Sequence, residues 1–483
     1  MPLLEEIENM PTTKYASGKE LYNHAQKIAK KYDLYSHALL QTEMSSATWD
    51  EATELWRIQT NRNDDILTKW FIPASGPFHT PKFPEIPGIE LFHGKSFHSS
   101  RWDYDYTGGC VDNPQLTKLR DKRVGVIGTG ATAVQIVPAI STWVKDLYVF
   151  QRTPSAVNAR NQKATDYEWV KKLSPGWQRE RMMNFTTVVS GGDVQEDLIN
   201  DGWTEAIRST PGFFGIGGDG FDSETLAKRQ QLADFKKMES VRRHIDEVVK
   251  DKATAEALKP YYEQFCKRPC FHDGYLSAFN QDNVHLVDTQ GKGVERVSET
   301  CVYAGGKDWP LDCIIYATGF EFGGDFTKDN APIIGPKGVS LSEKWKDGPT
   351  TFHSWGVNGF PNLLLMSVAQ SAPNPNWTHT MVEMGDHLIY IVKECEKRGL
   401  QRVEPSAEAE RFWVADAVKK SETRAEFLKN CTPGYYNNEG EVNEKTLRAQ
   451  PYNGGALMFQ SITKKWREDG KLEGLVWKGM NGN

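Results

Sequence analysis

The sequence has few cysteines and no pattern that would join them. Its 483 residues include seven cysteines, and none forms a CxxC pair or a Cys/His cluster with the spacing of zinc ligands. The closest two are Cys266 and Cys270, in the string CKRPC. We therefore expect all seven thiols to be reduced, no metal site, and a cytoplasmic protein.

The chain also lacks long apolar runs and a strong excess of either charge. No run approaches the ~20 apolar residues of a membrane span, and the first ten residues, MPLLEEIENM, carry acids where a secretory signal would carry lysine or arginine. The 58 Lys and Arg against 64 Asp and Glu give a net charge of −6. That balance excludes nucleic-acid binding through bulk positive charge. We expect a soluble protein of two or three domains with no membrane span and no nucleic-acid partner.

Hydrophobic periodicity predicts a mixture of helices and strands. Ser17 and Glu20 have the spacing of a capping box, which predicts a helix from residue 18 to about 32. Two more helices are predicted over 224–249 and 381–395. Strands are predicted over 36–44, 53–61, 66–74, 122–128, 146–152, 284–289, 299–305, 312–320 and 360–367. Residues 76–88, rich in proline and glycine, predict a loop.

The strongest local motif is GTGATA at residues 128–133. It has the form G-x-G-x-x-A, follows the predicted strand KRVGVIG and opens an apolar helix. In a dinucleotide-binding turn the first glycine permits the tight bend, the second lets the backbone approach a pyrophosphate, and the third position is small so that helix and strand can pack. The motif therefore predicts a dinucleotide site. The alternative is a tight turn in an ordinary α/β domain.

The end of the following strand indicates which dinucleotide binds. An acid there would accept the ribose 2′-OH of NAD, whereas an arginine suits the 2′-phosphate of NADP. This chain has Arg152 in the string FQRTP, with no acid nearby. NADP is therefore predicted, and a solvated surface arginine is the alternative. A second glycine string, GIGGDG at 215–220, has no strand before it and predicts only a loop.

A twelve-residue string before the glycine turn carries a family resemblance. Residues 92–103, FHGKSFHSSRWD, have the form F-x-G-x-x-x-H-x-x-x-W-D, which resembles the fingerprint of Baeyer–Villiger monooxygenases. The strings FQRTP, KR, ATGF and GFPN follow in that family's order, at 150–154, 267–268, 317–320 and 359–362. The string CTPGYYNNEG at 431–440 is similar to the fungal-type branch that acts on larger substrates. Read without the family, His98 in the fingerprint would be a structural histidine.

The resemblance implies an α/β fold with two Rossmann-like dinucleotide-binding domains. Residues 1–110 would form a partial FAD-binding domain and linker, 111–320 an inserted NADP-binding domain with a helical insertion, and 321–483 the rest of the FAD-binding domain with the C-terminal region. The implied reaction uses FAD, NADPH and O2 to insert one oxygen atom next to a ketone carbonyl, which gives an ester or lactone. The implied substrate is a multi-ring or long-chain ketone from a fungal polyketide pathway.

The resemblance also implies roles for single residues. Arg268 would be the catalytic arginine that stabilises anionic intermediates of the oxygenation, a role suited to a permanently charged guanidinium. Lys267 would contact NADP and Met44 would lie against FAD. His98 and Trp102 would couple domain motion rather than perform chemistry. The NADP turn would comprise Thr129, Gly130, Ala131, Thr132, Ala133, Val134 and Gln135, with Arg152 and Thr153 at the 2′-phosphate.

The sequence departs from the family pattern at its beginning. Family members carry an earlier G-x-G-x-x-G for FAD and an aspartate that partners the catalytic arginine, and neither is present here. Ala369, Gln370 and Ser371 also stand where many relatives have Gly-Pro-Gly. Two other functions therefore stay open: hydroxylation at a heteroatom, which Trp102 and Asp103 argue against, and a non-catalytic NADP-binding remnant.

Overall fold

The structure is a computed structural model that describes residues 1–209, 223–321 and 331–479. The strands are β1 Met44–Asp50, β2 Leu55–Thr60, β3 Asp65–Thr68, β4 Lys95–His98, β5 Arg123–Ile127, β6 Asp146–Gln151, β7 Val157–Asn158, β8 Cys270–Phe271, β9 Val284–Asp288, β10 Arg296–Val297, β11 Cys301–Ala304, β12 Lys307–Pro310, β13 Cys313–Tyr316, β14 Ile333–Ile334, β15 Leu400–Pro405 and β16 Leu475–Gly479. The helices are α1 Gly18–Lys31, α2 Tyr104–Thr107, α3 Ala131–Ile140, α4 Tyr167–Val170, α5 Trp177–Val189, α6 Gly202–Arg208, α7 Ser223–Val248, α8 Lys252–Ala257, α9 Tyr275–Ala278, α10 Leu341–Lys344, α11 Trp377–Lys397, α12 Ala407–Lys429, α13 Glu444–Ala449 and α14 Ala456–Asp469. The predicted capping box of Ser17 and Glu20 is confirmed at the start of α1.

A five-stranded parallel sheet positions the glycine turn. Its strand order is β4-β13-β5-β6-β9, and Val126 of β5 lies opposite Ile315 of β13 and Val149 of β6. Both faces are covered, as a parallel sheet requires. Helices α3, α7, α8 and α9 pack on one face, and the antiparallel strands β10, β11 and β12 pack on the other. This is the Rossmann-like, mixed α/β architecture that the resemblance implies.

A second sheet lies in the N-terminal part of the chain. Its order is β14-β1-β2-β3, and only β14 runs parallel to its neighbour β1. The strands predicted near 53–61 and 66–74 are present as the shorter β2 and β3, but the strand predicted over 36–44 is wrong. Leu39 and Leu40 are exposed, and the strand begins only at Met44, where β2 and β14 offer partners. Apolar residues without a neighbouring strand to pair with do not form a strand.

The C-terminal part contains α11, α12 and α14 with the antiparallel pair β15-β16, around a core that includes Trp355 and Tyr452. The strand predicted over 360–367 is wrong, although Leu364 and Leu365 are fully buried as expected. Their backbone N–H groups donate to the carbonyls of Phe71 (2.9 Å) and Trp355 (2.7 Å), two separate segments instead of one ladder. The loop predicted at 215–220 lies outside the described residues.

Among the described residues, no helix combines the length and the apolar composition needed to cross a membrane.

Candidate active site

The glycine turn closes against the neighbouring strand end. Gly128 has φ +110°, a conformation that L side chains rarely adopt, and a Cβ built there would lie 2.6 Å from the Ala317 carbonyl oxygen. Its N–H donates to the carbonyl of Phe150 over 3.1 Å. Only glycine meets both the conformational and the steric requirement at this position.

The second glycine leaves space in front of α3. Gly130 is the N-cap residue and has an ordinary φ of −70°. A Cβ added to it would meet no atom of the described residues within 4 Å. In the described part of the chain no side chain caps the helix, so its first N–H groups and dipole face this open space. Ala133, the third small position, is fully buried against the sheet. The arrangement fits a dinucleotide pyrophosphate.

Two hydroxyl groups join the ends of β5 and β6 beside the turn. The Thr129 hydroxyl donates to the Thr153 carbonyl over 2.7 Å, and the Ser155 hydroxyl donates to the Thr129 carbonyl over 2.6 Å. Of the other residues predicted here, Ala131 and Thr132 are half-buried, Val134 is buried, and Gln135 is exposed. The structure thus brings the predicted turn residues and Thr153 together at one sheet edge.

Arg152 and Lys267 meet at a segment that sequence reasoning did not connect with them. The carbonyl of Pro433 accepts from Lys267 Nζ at 3.0 Å and from Arg152 Nη2 at 3.4 Å. Arg152 Nη2 also donates to Glu439 Oε2 at 3.3 Å, and the other oxygen of that carboxylate accepts from Lys82 at 3.3 Å. Three cations therefore surround one short piece of chain. The family string at 431–440 was the only sequence signal for it.

The electrostatics of this cluster favour an anion. Desolvation, with the nearby charge of Arg152, lowers the pKa of Lys267 to about 8. Desolvation acts to raise the pKa of Glu439, but the charges of Lys82 and Arg152 outweigh it and the pKa is lowered. Glu439 is therefore ionised near neutral pH, and the excess of positive charge suits a phosphate group.

The expectation that all seven cysteines are reduced is wrong. Cys266 and Cys431 form a disulfide between positions 165 residues apart, and the remaining five are free thiols. Local spacing could not indicate this pair because its members meet only when the segment at 431–440 packs beside Lys267. The disulfide attaches that segment to the residue next to Lys267.

Arg268 follows Lys267 and has an exposed side chain. Within the described part of the chain its guanidinium makes no hydrogen bond or ion pair, while its carbonyl accepts from the Cys270 thiol at 3.5 Å. Desolvation raises the pKa of the Tyr435 hydroxyl, and the charge of Arg268 opposes that rise. The guanidinium is thus available to a ligand beside the segment at 431–440.

The fingerprint residues have structural partners. His98 ends β4, is buried, and its ring nitrogens lie 2.8 Å from the Ser100 hydroxyl and 2.8 Å from the Gly319 carbonyl. Desolvation lowers its pKa. Trp102 Nε1 donates to the Thr107 hydroxyl, and Asp103 caps α2. The fingerprint thus ties the linker to the strand end that carries the ATGF string.

The residues expected to lie against FAD include Met44 and the segment at 369–371. Met44 is half-buried at the start of β1. Gln370, at φ +58°, is buried and its amide bonds to Thr351 and to the carbonyls of Pro349 and Arg448. The side chain of Gln370 is therefore occupied within the protein.

The parallel sheet, the glycine turn and the flanking cations define a Rossmann-type dinucleotide-binding protein. A family model described as Flavin-binding monooxygenase-like matches residues 7–183. The chain is 51% identical to Baeyer-Villiger monooxygenase ATR8 of Stachybotrys chlorohalonatus over 98% of this chain and 76% of the relative. It is 47% identical to neopentalenolactone D synthase of Streptomyces avermitilis, over 98% and 80%. The solved polycyclic ketone monooxygenase of Thermothelomyces thermophila superposes with a TM-score of 0.90 at 36% identity, over 99% of this chain and 80% of that one.

The chain therefore belongs to the Baeyer–Villiger monooxygenases, a family of flavin-binding oxidoreductases that use FAD and NADP.

Proposed function

We propose that this protein is an NADPH- and FAD-dependent monooxygenase that inserts one oxygen atom of O2 next to a ketone carbonyl. The observation that carries the proposal is the neighbourhood of Lys267 and Arg268: one residue faces a cation cluster suited to NADP, and the next presents a guanidinium without a described partner. The overall reaction is ketone + O2 + NADPH + H⁺ to ester or lactone + NADP⁺ + H2O. When bound, the flavin supplies the redox chemistry with oxygen.

The nucleotide end uses the residues of the glycine turn. Gly130 and the N-terminus of α3 would hold the pyrophosphate, and the Thr129 hydroxyl fixes the turn by donating to the Thr153 carbonyl. The turn continues into the helix through Ala131, Thr132, Ala133, Val134 and Gln135. Arg152 and Lys267 would bind the 2′-phosphate, a group that NADP carries and NAD lacks.

Arg268 is the proposed catalytic residue. A guanidinium stays charged at every pH in the working range and offers five N–H donors. Placed where negative charge develops on oxygen during the reaction, it stabilises the transition state more than the ground state. Its freedom from internal ion pairs in the described residues leaves those donors for the reacting atoms.

The substrate class is a polycyclic ketone or similarly large ketone of secondary metabolism, with a fungal polyketide pathway as the narrower proposal. The support comes from relatives: one solved structure is a polycyclic ketone monooxygenase, and others are named ketocytochalasin monooxygenase and pentalenolactone D synthase. Met44 is the residue we assign toward FAD. We keep 1–110, 111–320 and 321–483 as the proposed domain boundaries.

The cytoplasm remains the proposed compartment, and small molecules without nucleic acid remain the proposed partners. The five free thiols suit a reducing compartment, whereas the Cys266–Cys431 disulfide argues the other way. The net charge of −6 gives no general attraction for nucleic acid.

An isotope experiment tests the function. The protein loaded with FAD is incubated with NADPH and a polycyclic ketone under ¹⁸O2, and the product is analysed by mass spectrometry. We expect an ester or lactone that carries one ¹⁸O atom and one NADPH consumed for each product formed. A sulfide substrate, assayed in parallel, tests the first alternative: sulfoxide without ester would indicate a heteroatom-oxygenating enzyme. A protein that binds no flavin would indicate the second alternative, an NADP-binding remnant.

A further inference from the structure

One carboxylate joins two cations at the nucleotide site. Glu439 lies with Oε1 3.3 Å from Lys82 Nζ and Oε2 3.3 Å from Arg152 Nη2. The three side chains are each about half-exposed. A carboxylate held between a lysine and an arginine has the charge and acceptor geometry of a phosphate edge.

Lys82 belongs to the same sheet edge as the dinucleotide turn. Its N–H donates to the Gly319 carbonyl over 3.0 Å, and its own carbonyl accepts from the Thr318 hydroxyl at 2.5 Å. Thr318 and Gly319 follow β13, and β13 lies beside β5, whose end carries Gly128. The backbone of Lys82 is therefore fixed to the carboxyl end of the parallel sheet, where dinucleotides bind.

The same place cannot hold Glu439 and a phosphate together. A ribose 2′-phosphate carries about −1.5 to −2 charges at neutral pH, and repulsion at contact distance from a carboxylate would oppose binding. If Arg152 receives the 2′-phosphate, the Glu439 carboxylate has to leave it.

We propose that Lys82 is a third cation of the 2′-phosphate subsite, beside Arg152 and Lys267, and that Glu439 occupies this subsite until a 2′-phosphate displaces it. The proposal rests on the proposed NADPH-dependent function. Glu439 then raises the selectivity for NADP over NAD. Its displacement breaks the ion pairs with Lys82 and Arg152, and only a ligand with two negative charges at this point replaces them.

The attachment of the segment 431–440 explains how the carboxylate stays close. The Cys266–Cys431 disulfide and the hydrogen bond from Lys267 to the Pro433 carbonyl hold its first part beside the nucleotide site. Near its other end, Glu439 is bound among the described residues only by the two ion pairs of its side chain to Lys82 and Arg152 and by backbone contacts within the segment. Its carboxylate can move while the tether remains, so its effective concentration at the subsite stays high.

The test is calorimetric binding of adenosine 2′,5′-bisphosphate and of adenosine 5′-monophosphate, which differ only in the 2′-phosphate. Lys82→Ala should weaken binding of the bisphosphate about tenfold and leave the monophosphate unchanged, since one charge-assisted hydrogen bond is lost. Glu439→Gln should tighten the bisphosphate about threefold to tenfold. The matched controls are Lys172→Ala, at an exposed lysine elsewhere, and Glu441→Gln, at an exposed acid directly after the segment 431–440.

The outcomes separate the two proposals. Wild-type protein without preference for the bisphosphate would overturn the NADP assignment itself. A clear preference that Lys82→Ala and Lys82→Met leave intact, or one that Glu439→Gln weakens or does not change, would overturn this inference alone. Equal effects in the control variants would reduce the result to net charge and would also overturn it. Melting curves of each variant verify that the fold is retained.

Discussion

The two sides of the proposed NADP site are built in different ways. On one side, the turn at Gly128 and the end of β6 come from about 25 consecutive residues, and their geometry follows from glycine conformation and strand pairing. On the other side, Glu439 reaches Arg152 across 287 positions and depends on a disulfide partner. The geometry of the first side follows from a local sequence motif. The contacts of the second side form only when distant segments of the chain pack together.

The largest expected stability effect concerns the turn. Gly128→Ala places a side chain at φ +110° and against the Ala317 carbonyl, so we expect a loss of about 2–4 kcal/mol. Gly130→Ala is the matched control, because its φ is ordinary and its Cβ meets no atom of residues 1–209, 223–321 and 331–479 within 4 Å. We expect it to change stability by less than about 0.5 kcal/mol.

The two glycine variants should also differ in their affinity for NADP⁺. The methyl group of Gly130→Ala enters the space assigned to the pyrophosphate, so NADP⁺ affinity should fall at least about tenfold although the protein stays folded. Thermal melting and calorimetry measure the two effects. Normal NADP⁺ affinity in Gly130→Ala would place the pyrophosphate elsewhere, and an unchanged melting temperature in Gly128→Ala would contradict the steric account of the turn.

A smaller effect is expected from pH. The pKa of Lys267 is lowered to about 8, and a bound 2′-phosphate favours the charged form and raises that pKa. Affinity for adenosine 2′,5′-bisphosphate should therefore be level between pH 7 and 7.5 and fall about fivefold to tenfold by pH 9. Lys267→Arg should bind with no such fall, because a guanidinium stays charged. An identical fall in that variant would assign the titration to another group.

Sequence reasoning predicted what depends on neighbouring residues. The strand before Gly128, the helix after it and the strand that ends just before Arg152 follow from a glycine motif with apolar periodicity on both sides. The buried character of Leu364 was also predictable, but not its backbone partners. The disulfide, the Pro433 contact and the role of Glu439 required distant segments to be placed together, and no local pattern specifies that.

The most direct test of the central claim is the separation of two half-reactions in Arg268→Ala, with Arg268→Lys beside it. In protein loaded with FAD, NADPH should still bleach the flavin absorbance at a rate within about threefold of wild type, because the nucleotide site is intact. Formation of the ester from the ketone should fall at least about 10³-fold, because the charge opposite the developing anion is gone, with partial recovery in Arg268→Lys. Ester formed by Arg268→Ala at the wild-type rate would contradict the account.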